Sequence, residues 1–301
     1  MPTKAELMKN GDLIVRLESP ESLEWLYEFL TISKEKKKYC TITVNGKEMT
    51  NPATELLPAD KITVTLDERY RINDETPMYY GAVPIVYEDD WCLVANKKPF
   101  LLVHGDGQSE DTLTARVNAY LNTNAWPFAA QAVNRIDYEA SGLVLFCKYP
   151  LLQHFFDEQM ENGEAKKEYL AVVDGRVENR EIDINNPISR NRNDAKKMIV
   201  FKKGKPAHTH ISRLKLFNDK TLVKAVIDTG RKHQIRVHLS NLGSPIMNDP
   251  LYGTITNNKG LMLQAFSLSF IQPFTHERIN VRLTMDTRFN KWFDPTLAEE
   301  A

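Results

Sequence analysis

Thirty-nine Lys and Arg against 40 Asp and Glu in 301 residues leave a net charge of -1, and 42% of the chain is hydrophobic. This excludes a uniformly basic nucleic-acid domain and a disordered chain, and the length suits one large domain, or a medium and a small one, each with its own core. No window approaches the roughly 18 consecutive apolar residues of a membrane span, and Lys4, Glu6, Lys9, Asp12, Arg16 and Glu18 break up the start of the chain. A soluble cytoplasmic protein is expected. Cys40, Cys92 and Cys147 are odd in number and widely spaced, which suits buried thiols in a reducing compartment.

In chain order, SLEWLYEFL (22–30) has apolar residues at helical spacing behind a Ser or Pro start, followed by the basic run SKEKKK (33–38). TITVNGKEM (41–49) predicts a hairpin around Asn45-Gly46, and PADKITVTL (58–66) a further strand. A polar, Pro-containing stretch, INDETPMYYGAVP (72–84), then reads as a link. Beyond it come strands IVYEDD and WCLVANKK, a long helix in TLTARVNAYL, and strands in SGLVLFCK, KEYLAVVDG, TLVKAVIDTG, LMLQAFSLSFI and RINVRL. Runs of strands with few helices predict an α+β fold with a mixed or antiparallel sheet.

The near-zero total hides an asymmetry. Between Asn185 and Arg236 stand fourteen Lys or Arg against Asp194, Asp219 and Asp228, a local charge of +11 that leaves -12 for the rest. A solvated lysine-rich face is the bland account; a cleft wall for a polyanion is the functional one.

Three segments combine polar groups with turns and apolar strands. In NRIDYEASGLVLFCK (134–148), Arg135 and Asp137 share one side of an extended stretch just before a buried strand. Alone, this would be an Asx turn with a surface ion pair. In KKEYLAVVDGRV (166–177), Tyr169 enters an apolar strand, as a core residue or with its ring facing a cleft. GRKHQIRVHLSNLGSPIMNDPLYG (230–253) gathers Arg231, His233, Gln234, Arg236 and His238 without an acid close by, and such a set of donors asks for an anionic or carbonyl-rich partner. His208/His210 and His233/His238 lack Cys or carboxylate neighbours at ligand spacing, so no metal site is expected.

Together these segments resemble the RluA-type pseudouridine synthase family. NRIDYEASGL is similar to its H-R-L-D-x-x-T-S-G-L, GRKHQIRVH to G-R-x-H-Q-I-R-V-H, and PIMNDPLYG to P-I-x-G-D-x-x-Y-G. VYEDDWCLVANKKPFLLVHG, PISRNRNDAKKMIV with GKPAHTH, and LMLQAFSLSF match three further signatures, so the resemblance runs in order from Ile85 to Arg282. It implies the pseudouridine synthase fold, a mixed and mostly antiparallel sheet with flanking helices and a central cleft, over 85–295. A link at 73–84 would join it to a small α+β domain, 1–72, similar to an RNA-binding fold shared with a ribosomal small-subunit protein. That unit is degenerate, with eleven bases against twelve acids.

The implied reaction isomerises uridine in rRNA or tRNA: the glycosidic C–N bond breaks, the uracil turns, and a C–C bond forms. No cofactor or metal is implied, and the expected partner is RNA, bound by a monomer. Asp137 maps to the catalytic carboxylate, attacking either the anomeric carbon or carbon 6 of the uracil. Arg236 maps to its cationic partner, which fixes the carboxylate's rotamer. Tyr169 maps to the tyrosine that stacks on the base, and Leu263 to the apolar residue opposite. A uridine in a stem must be flipped out, at a cost on the order of a few kcal/mol, and Arg135 maps to the arginine that fills the vacated stack. Arg231, His233 and Gln234 would contact RNA, and Lys196, Lys197, Lys202 and Lys203 its phosphates. Four residues depart from the family pattern: Asn134 for His, Ala140 for Thr, Asn248 for Gly and Gln264 for His. Hydrogen-bonding groups should therefore be lost beside the catalytic turn. The alternative reading is an RNA-binding or ribosome-assembly factor with weak or no isomerase activity, but such a protein has no use for a buried Asp–Arg pair.

Overall fold

The computed structural model describes residues 4–32 and 34–298. Ser33, which opens the basic run, and the first three residues of the expected small domain lie outside the described residues. The N-terminal unit comprises β1 (Lys4–Leu7), β2 (Leu13–Arg16), β3 (Glu21–Ser22), α1 (Leu23–Phe29), α2 (Lys34–Lys37), β4 (Cys40–Val44), β5 (Lys47–Glu48), β6 (Glu55–Leu56) and β7 (Ile62–Leu66). Helix α1 starts where its sequence says, because Ser22 Oγ accepts the Trp25 N–H at 3.1 Å and Leu23, Leu26 and Tyr27 turn inward. Asn45 (φ 52°) and Gly46 (φ 82°) supply the two left-handed residues of the predicted hairpin turn. The sheet order is β1-β2-β7-β4-β5. Strands β1 and β2 were not evident from sequence, each being only four residues long.

Residues 73–84 carry no helix or strand. The chain then forms β8 (Ile85–Glu88), β9 (Cys92–Lys97), α3 (Leu113–Thr123), β10 (Gln131–Ala132), β11 (Ser141–Cys147), α4 (Gln153–Glu161), β12 (Lys166–Asp174) and β13 (Glu181–Ile184). There follow β14 (Ile188–Arg190), β15 (Met198–Val200), β16 (Thr209–Phe217), β17 (Lys220–Ile227), α5 (Gln234–Asn241), β18 (Leu263–Ile271) and β19 (Arg278–Arg282). The main path of the central sheet is β13-β16-β17-β12-β18-β11-β9-β8, with β10 on β11 and β19 on β18. Among the described residues only β11 and β18 pair in parallel, so the sheet is mixed and mostly antiparallel, as expected. Strand β11 is buried along its whole length, which is why SGLVLFC reads as a continuous apolar run without alternation.

One buried apolar cluster contains Leu13, Leu26 and Ile42 of the N-terminal unit together with Trp91, Leu145 and Phe270 of the central sheet. The N-terminal sheet thus rests directly on the larger one. Cys92 and Cys147 are buried and Cys40 half-buried, all three as free thiols.

Gly142 is the second residue of β11, paired with both Lys97 and Ala265. Its φ is 117°, and a Cβ there would stand 2.1 Å from the Ala265 carbonyl oxygen and 2.6 Å from its nitrogen. Backbone cannot yield as a flexible side chain would. Gly142→Ala should therefore cost about 2–3 kcal/mol of unfolding free energy, read as a lowered urea midpoint at unchanged slope.

Candidate active site

Where β11 and β18 meet, the two halves of the sheet part into a cleft of about 660 Å³. Asp137 comes from the turn before β11, Tyr169 from β12, Leu263 from the first residue of β18 and Arg236 from α5, and all four line it. Tyr169 is presented beside a β-bulge, where the β12–β18 register shifts between Glu168 and Tyr169.

The turn that carries Asp137 is held from both sides. The Asp137 carbonyl accepts the Ala140 N–H at 3.1 Å, and the Tyr138 carbonyl accepts the Phe100 N–H at 2.7 Å and the Lys97 ammonium at 3.1 Å. Lys97 is fully buried and also reaches the Lys98 carbonyl. Burial pushes its pKa down to about 7 against the opposing charges of Asp137 and Glu139. On the far side, Ser141 Oγ donates to Asp286 at 2.7 Å and accepts from Arg288 at 2.6 Å, which pins the turn to the C-terminal segment.

Arg236 is 1% exposed and joins the floor of the cleft to the interior. Its Nη1 donates to Asp137 Oδ2 at 2.8 Å, while Nε and Nη2 donate side by side to the two oxygens of Asp249, both at 2.8 Å. Burial alone would lower the guanidinium pKa, but the hydrogen bonds it donates to Asp249 and the charge of Asp137 reverse that and raise it. Asp137 Oδ1 makes no hydrogen bond among the described residues. Tyr169 keeps its proton, since burial, and then the charge of Asp137, raise its pKa.

The absence of an acid near the 230–238 donors is corrected here: Asp249 is that acid, carried back by the turn after α5. The other donors also find partners within the protein. Gln234 is buried; its amide donates to the His208 carbonyl and Thr209 Oγ1 and accepts from Thr229 and the Arg231 N–H. It braces the loop that borders the cleft. His238 is enclosed between Thr209 and the Asn186 carbonyl. His233 lines the cleft and meets the Tyr252 hydroxyl at 3.0 Å, and burial pushes its pKa down to about 4, so the ring is neutral at pH 7. Arg231 lines the mouth, with Nε on the Pro206 carbonyl. Arg135 is exposed at the mouth with no ion-pair partner among the described residues.

The basic stretch does not form one cleft wall. Arg231, Lys232 and Arg236 line the cleft, but Lys220 pairs with Asp174 and Asp219 at the other end of the strands, and Arg213 caps the Val177 and Glu178 carbonyls. Lys196 and Lys197 precede β15, and Lys202 and Lys203 follow it, on a hairpin that covers α5 through Ile188, Val200 and Val237. None of these four lines the cleft. Carboxylates missing from the sequence around His208 and His210 are supplied by other strands: Asp183 and Asp228 flank His208, and Asp183 and Glu181 flank His210. These are ion pairs on an open sheet face; among the described residues no group of three or more His, Cys, Asp or Glu is arranged to hold a metal.

Of the two departures expected to lose hydrogen-bonding groups beside the turn, Asn134 keeps its bonds and Ala140 does not. Asn134 accepts the Leu145 N–H at 2.7 Å and donates to the Leu143 carbonyl, and Gln264 bridges Thr284 and Asp286. Asn248 has φ 59°, a conformation natural to the Gly it replaces and tolerable for Asn, and its side chain holds Thr256, Asn257 and the Gly260 carbonyl. Only Ala140, buried in the turn, loses the side-chain group.

Sequence comparison finds the RNA pseudouridylate synthase family pattern over residues 91–241, which covers every residue named above from Asp137 to Arg236. The uncharacterized RNA pseudouridine synthase YlyB of Bacillus subtilis is 35% identical over 246 residues, 79% of this chain and 80% of that one. Ribosomal large subunit pseudouridine synthase D of Yersinia pestis is 33% identical over 216 residues, 70% of this chain and 65% of its own. Among solved structures, human RNA pseudouridylate synthase domain containing 4 superposes with a TM-score of 0.57 at 21% identity, over 72% of this chain and 93% of that one, a likeness of fold. The chain in which an aspartate and an arginine are joined at the bottom of this cleft is related over most of its length to RNA pseudouridine synthases: it belongs to the RNA pseudouridylate synthase family.

Proposed function

We propose that the protein isomerises specific uridines in structured RNA, with large-subunit rRNA as the first substrate class and tRNA as the second, and with Asp137 as nucleophile. The 2.8 Å ion pair between Asp137 and Arg236, set between Tyr169 and Leu263, carries the reading. Arg236 takes one carboxylate oxygen and fixes the rotamer, so Oδ1 faces the flipped nucleotide. Tyr169 stacks on the uracil and Leu263 packs its other face. Arg135 fills the vacated stack, its planar guanidinium and exposed position suiting both base and phosphate neighbours. Arg231 and His233 line the entry, and Lys196, Lys197, Lys202 and Lys203 meet phosphates beyond the target nucleotide. The relatives named for the large ribosomal subunit support the choice of rRNA.

In this reading residues 1–72 form a small unit docked on the catalytic domain, 85–295, across the link 73–84. The reaction takes place in the cytoplasm. A single copy suffices, since Asp137, Tyr169 and Arg236 come from one chain. Isomerisation conserves composition and oxidation state, so no cofactor enters. Purified protein in EDTA should therefore convert uridine in transcribed rRNA or tRNA, and a strain lacking the gene should lose one or a few pseudouridines that only the wild-type gene restores. An unchanged pseudouridine map in both RNA classes, together with no conversion in vitro, would overturn the proposal.

A further inference from the structure

Lys167 stands two residues before Tyr169 on β12 and lines the same cleft, yet the catalytic roles above leave it unused. It is 9% exposed. Other buried cations of the protein have been given partners: Arg236 has three carboxylates, Asp137, Glu139 and Asp249, Lys97 two carbonyls, and Lys148 Glu88 at 2.7 Å and the Asp89 carbonyl. No hydrogen bond or ion pair reaches the Lys167 ammonium among the described residues. The nearby carboxylate, Asp228, is engaged by His208 and by the neighbouring Lys166 at 3.9 Å. Burial lowers the Lys167 pKa, and Asp228 offsets that only in part. An ammonium on a mostly buried side chain that opens only into the cleft is poorly hydrated and has no protein acceptor, and a ligand that brings an anion to it recovers that cost.

The surroundings fit an anion. Gly230 closes the cleft opposite with no side chain, and the Lys167 Nζ lies 4.0 Å from where its Cβ would be. Arg231 and Lys232 follow at the same rim; Asp228 and Glu161 are the acids there. Two strand residues separate positions by about 7 Å, so an anion on Lys167 sits one nucleoside length from the ring of Tyr169. We propose that Lys167 is a positioning residue that grips a phosphate flanking the target uridine, setting how deep the flipped base enters between Tyr169 and Leu263. This rests on the function proposed above.

The test is a double-mutant cycle between the protein and the RNA. Lys167→Met and Lys167→Arg are compared with wild type on an RNA carrying ordinary phosphates, or a neutral methylphosphonate immediately 5′ or 3′ of the target uridine. A charged hydrogen bond of this kind is worth about 10- to 100-fold. Wild type should lose that factor in kcat/KM and in Kd at one of the two linkages. Lys167→Met should lose it on ordinary RNA and nothing further on the methylphosphonate, and Lys167→Arg should recover to within about threefold. The loss should fall on KM, with kcat and its pH profile unchanged. Equal losses for wild type and Lys167→Met at both linkages, no loss in wild type at either, or a shifted kcat pH profile would each overturn the contact. Because the cycle is also read in Kd, RNA bound without turnover would sink the proposed function and still decide the role of Lys167.

Discussion

Asp137→Asn should abolish pseudouridine formation, by a factor on the order of 10⁴ or more, while RNA affinity stays within a few fold of wild type. An amide oxygen can still accept from Arg236 Nη1, but an amide cannot attack carbon. The substitution is a clean one because Arg236 does not depend on Asp137 alone: its Nε and Nη2 remain bonded to Asp249 at 2.8 Å each, so no buried charge is stranded. Nor does the turn depend on the carboxylate, since it is the main-chain carbonyls of Asp137 and Tyr138 that are held by Ala140, Phe100 and Lys97. Nucleoside analysis of a single-turnover reaction and a filter-binding titration read the two quantities separately. A variant converting uridine at a tenth of the wild-type rate would rule out Asp137 as nucleophile.

Strand β11 was legible because burial on both faces forces an apolar run, whereas the polar turn before it reads alone as an Asx turn with a surface ion pair and stood out only through the family resemblance. The β4–β5 hairpin was legible from two residues that tolerate positive φ. Helix α5 was harder to see: Ile235, Val237 and Leu239 alternate as in a strand, and the helix begins after His233 in a left-handed conformation with no capping side chain. Helix α4 likewise lacks a side-chain cap and follows directly on a 3-10 turn. In the site, Asp137, Tyr169 and Arg236 were found by resemblance and by their placement at turns and strand entries. Lys167 was visible only as a partner in period two with Tyr169, a signal that any strand lysine would give. Charge counting misled, because alternate residues and opposite ends of β16 and β17 send their cations to different surfaces.

Asp249 is the residue whose loss should damage the fold most. It is fully buried and accepts four hydrogen bonds, two from Arg236 and two from the Leu251 and Tyr252 N–H groups at 2.9 and 3.1 Å. Thirteen residues separate it from Arg236, and nothing local in the sequence marks the pair. Asp249→Ala leaves a buried guanidinium with one hydrogen-bonded carboxylate, Asp137, and a second, Glu139, at 3.7 Å, and empties the turn that carries Tyr252. Breaking a buried pair in this way should cost about 3–5 kcal/mol, a large share of the roughly 5–15 kcal/mol that holds a folded protein together. The midpoint of urea unfolding should fall accordingly at unchanged slope. A second consequence concerns chemistry: freed from Asp249, Arg236 can turn both of its outer nitrogens onto Asp137 and occupy the oxygen needed for attack, so activity should drop further than the folded fraction does. The double variant Arg236→Met/Asp249→Leu removes both buried charges. It should recover most of the lost stability, since Asp137 keeps access to the cleft with its side chain 24% exposed, yet remain inactive. If Asp249→Ala unfolds within about 1 kcal/mol of wild type, water or another group already satisfies Arg236, and Asp249 does not set its position.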